Sequence, residues 1–277
     1  SQAFAYQSPV GGYRFIAWNQ MKSGKPSFFA DKRVRQAMTM LTDRQRLIKI
    51  VMLDMATLTT GPFNPSEGNK QYNREVTAWP YDVNRAKALL REAGFADRDG
   101  DGVIETPDGK PFEFKLTYPS GNESYNKMVL FLKDSYARAG IVCQPDPLEW
   151  SVMTERLTNK HFEAITPGWT AGIETDIYQM FHSDQIKDNG DNFMHYESEK
   201  LDALIDEARV TLDEDKRMAL WQQAHAVMHE DQPYTFLFVP KSLRMVDDRV
   251  KNIQEIALGL NPRNEWYVPK QLQRYAQ

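Results

Sequence analysis

Residues 111–170 read PFEFKLTYPSGNESYNKMVLFLKDSYARAGIVCQPDPLEWSVMTERLTNKHFEAITPGWT, and the fold is decided within them. Phe112–Tyr118 alternates apolar and polar side chains with the period of a strand. Asn122–Gly140 carries Tyr125, Met128, Val129, Leu132 and Tyr136 at helical spacing. Ile141–Gln144 reads as a short strand, Trp150–Leu157 as a helix and Phe162–Thr166 as a further strand. Strand–helix–strand–helix–strand at this spacing predicts a parallel sheet with right-handed crossovers. Such sheets receive ligands beyond the carboxyl ends of their strands. Those ends carry Tyr118, the segment Pro145–Trp150 and Gly168-Trp169-Thr170. Two tryptophans, Trp150 and Trp169, therefore follow strand ends, and Gly168 and Gly172 beside Trp169 let a backbone approach closely.

Outward from this centre, Tyr13–Ala17 reads as a strand. Asp31 and Asp43 are expected to cap helices through Val34–Leu41 and Leu47–Met52. The stretch 57–80, rich in Gly, Pro and Asn, reads as a long loop of functional use or lying across a partner surface. Asp82 caps a helix that ends at Gly94. Ser198–Thr211 and Asp213–His229 are amphipathic helices, Tyr234–Val239 is an apolar strand, and Arg244–Val246 and Ile253–Ile256 are shorter strand candidates.

The bulk numbers are those of a globular chain large enough for a sizeable core. Its 277 residues are 41% hydrophobic and 26% charged, with a net charge of -4. No basic surplus points to nucleic acid. The longest apolar stretch, Leu47–Leu53, is interrupted by Lys49, so no membrane span is expected. Ser1–Ser8 has neither the basic start nor the apolar run of a signal peptide. Cys143 is the single cysteine, which excludes an internal disulfide.

Several constellations bear on chemistry. Asp97, Asp99 and Asp101 at alternate positions, with Gly102, Glu105 and Asp108, resemble the start of a calcium loop; a polar hairpin explains the same residues. His225 and His229 stand i, i+4 on a helix, but Ala226 occupies the place of a zinc-protease glutamate. Glu149, Glu155, Glu163, Glu174 and Asp176 supply carboxylates without singling out an acid/base pair. No nucleophile elbow, phosphate loop or dinucleotide fingerprint is present.

Asn19 with Phe28–Ala37 (FFADKRVRQA) resembles the segment that opens the C-terminal lobe of oligopeptide-type solute-binding proteins. So do Tyr81-Asp82-Val83 with Glu92-Ala93-Gly94-Phe95, Gly168-Trp169, Asp176 through Ser183, Asn192-Phe193 with Tyr196, and Gln232 through Phe236, in order and at matching spacing. The resemblance implies an α/β, periplasmic-binding-protein-like lobe, with a mixed, mostly parallel sheet and flanking helices, truncated at its N-terminal half. It implies a hinge or linker over 1–12, a C-terminal ligand-binding lobe over 13–240, and a tail over 241–277 that returns to the first lobe. The implied role is the substrate-binding component of an ABC importer for oligopeptides or dipeptides. It is a binding protein and not an enzyme, monomeric, without cofactor, and periplasmic or extracytoplasmic, with a lipoprotein anchor in the full-length form. Its partners are then the solute and the permease and ATPase subunits.

By the same resemblance Trp150, Gly168, Trp169 and Thr170 line the cleft, and Asp176, Asn192 and Tyr196 shape the loops behind it. Two departures stand out. Gly172 occupies the place of an aspartate that meets a peptide's amino terminus, with Glu174 or Asp176 as substitutes. Leu157 and Thr166 stand where some members carry arginines, and Arg156 is displaced by one position. Oligosaccharide binding is therefore the alternative, and a carboxylate-pair hydrolase is the reading from another class.

Overall fold

The computed structural model describes residues 1–8, 11–187, 189–256 and 259–274. Positions 9–10 of the expected hinge, and 257–258 and 275–277 of the expected tail, lie outside the described residues. The strands are β1 (Gln2–Tyr6), β2 (Tyr13–Trp18), the small hairpin β3 (Met21–Lys22) and β4 (Lys25–Pro26), and β5 (Ala56–Leu58). They continue with β6 (Glu113–Pro119), β7 (Val142–Leu148), β8 (Ala164–Ile165), β9 (Gly168–Trp169), β10 (Tyr234–Pro240), β11 (Ser242–Val246), β12 (Glu255–Ile256) and β13 (Gly259–Leu260). The helices are α1 (Lys32–Leu41), α2 (Arg44–Ile50), α3 (Val83–Glu92), α4 (Glu123–Ala137), α5 (Trp150–Thr158), α6 (Tyr178–Phe181), α7 (Glu199–Val210) and α8 (Glu214–Asp231).

Seven strands form one mixed sheet in the order β5-β10-β2-β8-β6-β7, with β9 continuing the lane of β8 against β2. The strand–helix–strand–helix–strand unit forms as its spacing implies: β6 pairs in parallel with both β7 and β8. Parallel pairing stops there. β2 runs antiparallel to β8, β9 and β10, and β10 antiparallel to β5, so the parallel share is smaller than expected. The crossover rule acts only where a helix separates consecutive strands; β2 and β10 arrive from the two ends of the chain and join from outside.

Strand periodicity splits the interior into two cores. On β2, Ile16 and Trp18 face a core filled by Val34 and Met38 of α1, Leu89 and Leu90 of α3, and Val129, Leu132 and Tyr136 of α4. Tyr13, Phe15 and Ala17 face the other, with Met153 of α5, Leu201 and Ile205 of α7, and Trp221 and Met228 of α8. A register shift between Phe236 and Phe238 turns Leu237 and Phe238 together toward the first core. The result is three layers, helices on both sheet faces.

The caps are those the sequence signals. Asp31, Asp43, Asp82 and Asn122 each accept backbone N–H bonds at the first turn of α1, α2, α3 and α4. Pro167, with no N–H to donate, ends the ladder of β8 after two residues, and the chain resumes as β9. The long loop 57–80 packs against α8 of its own lobe. His225 of α8 accepts a hydrogen bond at Nδ1 from the Asn73 N–H (3.0 Å), so Nε2 carries the proton and donates to Thr60 Oγ1 (3.0 Å). Both ring nitrogens are thereby used within the fold. His229 stacks on Trp79, so the zinc reading of this pair does not hold.

Candidate functional site

The parallel strands and β10 end on one rim, and β2 and β5, running the other way, begin there, as the pairings Tyr13↔Trp169 and Pro240↔Ala56 fix. This rim gathers Pro119, Leu148, Trp150, the end of β9, the start of β2 and the end of β10. Trp150 opens α5 with 58% of its surface exposed. Trp169 is half-buried. Its ring lies nearly parallel to Phe15 (6.4 Å) and Phe193 (5.9 Å), and its Nε1 faces Tyr234 Oη at 3.4 Å. Gly12 lies where a Cβ would strike the Trp169 carbonyl, which lets β2 start against β9. The two tryptophans belong to one rim but not to one stack: β9 and the end of β7 are two strand spacings apart, ~10 Å. Strand β9 is paired on one side only, by β2; its other edge leaves the sheet.

Of the remaining residues singled out in the sequence, Thr170 is exposed beside Trp169. Asn192 and Tyr196 are buried. Asn192 Nδ2 donates to the carbonyls of Tyr196 (2.7 Å) and His182 (3.1 Å), Oδ1 accepts from the Tyr196 N–H, and Tyr196 donates to Asp231 at 2.7 Å. Their polar atoms are spent on the loop, so they hold the segment bearing Phe193 and do not face a ligand. Asp176 accepts from the Tyr178 N–H and pairs with Arg209 at 2.9 Å, while Glu174 pairs with Arg217 at 2.7 Å. Neither is left as an unpaired substitute for the missing aspartate. Glu163 is likewise paired, with Lys22.

Two groups that the sequence did not single out also bear on the site, one on each face of the sheet. Asp191, half-buried two residues before Phe193, has no ion-pair or side-chain hydrogen-bond partner among the described residues. Burial holds its carboxyl above the ordinary carboxylate range, and its charge adds to burial in pushing the Tyr234 phenol up. On the opposite sheet face a cavity of about 200 Å³ opens between the end of β10, the start of β2 and the first turn of α4. Arg14, Asn122, Ser124 and Tyr125 supply its polar wall and Met128 and Phe238 its apolar wall. The signal for Arg14 was present in the sequence: an arginine on the face of β2 that also carries Ile16 and Trp18.

The acidic loop lies at the far end of the sheet, tied by the Ile104 N–H to the Gly140 carbonyl. Carboxylate oxygens of Asp97, Asp99, Asp101 and Glu105 come within 4.8 Å of one another. Asp108 does not join them; it accepts from Thr106 and pairs with Lys110 at 2.6 Å. The four that converge already accept backbone N–H bonds from Gly100, Gly102, Asp101, Val103 and Arg98, the pattern of a self-closing polar turn. Among the described residues, no helix is long and apolar enough to cross a membrane.

Comparison with known proteins follows the same geometry. Residues 2–192 match the model of the bacterial extracellular solute-binding proteins, family 5, middle. The oligopeptide-binding protein AppA of Bacillus subtilis is 32% identical over 232 residues, which are 83% of this chain and 42% of AppA. Di/tripeptide-binding protein 2 of Pseudomonas aeruginosa is 29% identical over 228 residues, 81% of this chain and 40% of that protein. The structure of AppA in complex with a nonapeptide superposes with a TM-score of 0.83 at 28% identity, covering 97% of this chain and 52% of that one. The chain thus spans about two fifths of the length of these curated relatives, which are binding proteins.

Proposed function

Since the chain belongs to the bacterial extracellular solute-binding proteins of family 5, we propose that it forms one wall of a ligand cleft in the substrate-binding component of an ABC importer, and that oligopeptides or dipeptides are captured against its carboxyl rim. The observation that carries this reading is the rim itself: an exposed Trp150, a half-buried Trp169 and a strand, β9, with one free edge. An extended peptide adds to such an edge through its backbone, while aromatic surfaces take its side chains. Trp150, Gly168, Trp169 and Thr170 are the lining residues in this reading. Asp176, Asn192 and Tyr196 position the loops behind them.

The pairing of β1 with β11 favours a second wall facing the same rim. β1 and β11 pair antiparallel, Tyr6 opposite Ser242, in a two-stranded ribbon separate from the main sheet. β1 leads into the start of β2, and β11 leaves from the end of β10, so the ribbon springs from the rim. Leu243 and Met245 on it are 54% and 63% exposed. We assign the ribbon as the hinge, with 13–240 as the lobe and the membrane permease and its ATPase as partners of the closed form outside the cytoplasm.

The test is native mass spectrometry of the natural full-length gene product purified from its host, with titration of peptide and oligosaccharide panels followed by tryptophan fluorescence. Saturable peptide binding supports the proposal. Binding of oligosaccharides alone moves the reading to sugars, which the exposed indole of Trp150 and the absence of an aspartate at Gly172 favour. The hydrolase reading has less to stand on, because Glu163, Glu174 and Asp176 are each held in an ion pair.

A further inference from the structure

Two buried arginines, Arg35 and Arg44, and the half-buried Arg14 are treated differently by the fold. Arg35 sends its guanidinium to the carbonyls of Phe29, Ala30 and Asp231. Arg44 sends its own to the carbonyls of Phe236 and Trp79. Burial lowers both to about 10, so each remains a charged group with its N–H donors spent on backbone oxygens. This is the usual condition of an arginine removed from water. Arg14 is half-buried at the rim, yet among the described residues it has neither a hydrogen bond nor an ion pair. The fold nevertheless keeps its place open. It stands opposite Gly168 in the β2–β9 ladder, and a Cβ on Gly168 would occupy the space of its guanidinium.

The surroundings specify what is missing. Among the described residues Arg14 is the one charged residue lining the rim cavity. The positive end of α4 opens on the same space, with its Asn122 cap and Ser124 and Tyr125 in the lining. Glu123, the acid of that first turn, is exposed and turned to Lys127 at 2.6 Å. Met128 and Phe238 give the space an apolar wall on the other side, beside which a charge pair is screened less than in open water. A volume of about 200 Å³ equals the share of ~7 water molecules in the liquid, enough for a carboxylate and a short stem.

We propose that Arg14 is the anion anchor of the cleft and receives a carboxylate of the bound ligand, the carboxyl terminus of a peptide, through its planar pair of N–H donors. The assignment rests on the rim being the ligand wall. It answers the want of an arginine at Leu157 and Thr166, since the cation comes from a different strand.

The test uses the full-length gene product with two pools of random-sequence pentapeptides, one of free acids and one of C-terminal amides, read by affinity selection and mass spectrometry. The wild type is expected to favour acids by about 10- to 100-fold, the range of a charge-assisted hydrogen-bonded pair. Arg14→Gln is expected to remove that preference, acids losing more affinity than amides until the two pools bind alike. Gly168→Ala, which keeps the charge but crowds the guanidinium, is expected to erode it, with circular dichroism verifying that both variants fold. Acid preference retained in a folded Arg14→Gln overturns the assignment, as does equal binding of acids and amides by the wild type, and in both cases the peptide reading stands. Binding of neither pool overturns both.

Discussion

Trp150 and Trp169 differ in what they offer a ligand. Trp150 is exposed and packs on little, so Trp150→Ala is expected to leave the melting temperature within about 2 °C while weakening ligand binding by about fivefold, the worth of one aromatic contact. Trp169 lies against Phe15 and Phe193. Trp169→Ala is expected to cost about 3 kcal/mol of folding stability in urea melts as well as affinity. Asp191 carries a pH signature of the segment that bears Phe193. Burial raises its carboxyl in the folded chain, so the fold is favoured while Asp191 is protonated and loses stability as pH rises through the folded pKa. Asp191→Asn is accordingly expected to raise the melting temperature at pH 7 and to change nothing at a pH below the ordinary carboxylate value. An equal effect at both pH values would show that the side chain acts through packing and not through charge.

At the scale of elements, the loop 57–80 and α8 are bound together by the His225 ring, by Trp79 against His229 and by Asn73 and Gln222 bonding across the two. Burial depresses His225 to about 3 and His229 to about 4. The unfolded chain takes up protons near 6.5, and the folded chain does not until much lower. Stability is therefore fully present above pH 6.5 and falls as pH drops toward the folded values, by up to about 1.4 kcal/mol per pH unit for each histidine. Urea melts between pH 7.5 and 4.5 are expected to show this slope, and His225→Gln to flatten it while lowering stability at pH 7. The parallel unit β6-α4-β7-α5-β8 was legible in its sequence because every element is local and capped: Asn122 starts α4, and apolar residues recur at 3.6 on the helix and 2 on the strands. The β1–β11 ribbon was not. Gln2–Tyr6 finds its partner more than two hundred residues away, and no local pattern reports such a pairing.

For the molecule as a whole, the cleft reading makes the rim half of a binding site. The 277-residue chain by itself is expected to bind peptides weaker than ~100 μM in calorimetry, because a ligand held on one wall keeps much of its solvent and its freedom; micromolar binding by this chain alone would contradict a shared cleft. Identity of the elements, their caps, the pair of rim tryptophans and the glycine at 172 were set in the sequence, since each depends on neighbours within a turn of helix or a few residues of strand. Burial of Asn192 and Tyr196, the ion pairs that occupy Glu174 and Asp176, the exclusion of Asp108 from the acidic turn and the exposure of Arg14 to an uncharged cavity were decided only by the tertiary fold. Charge and hydrogen-bond partners come from segments that meet across the sheet, and whether a polar side chain is spent or left free is a property of that meeting, not of the chain's order.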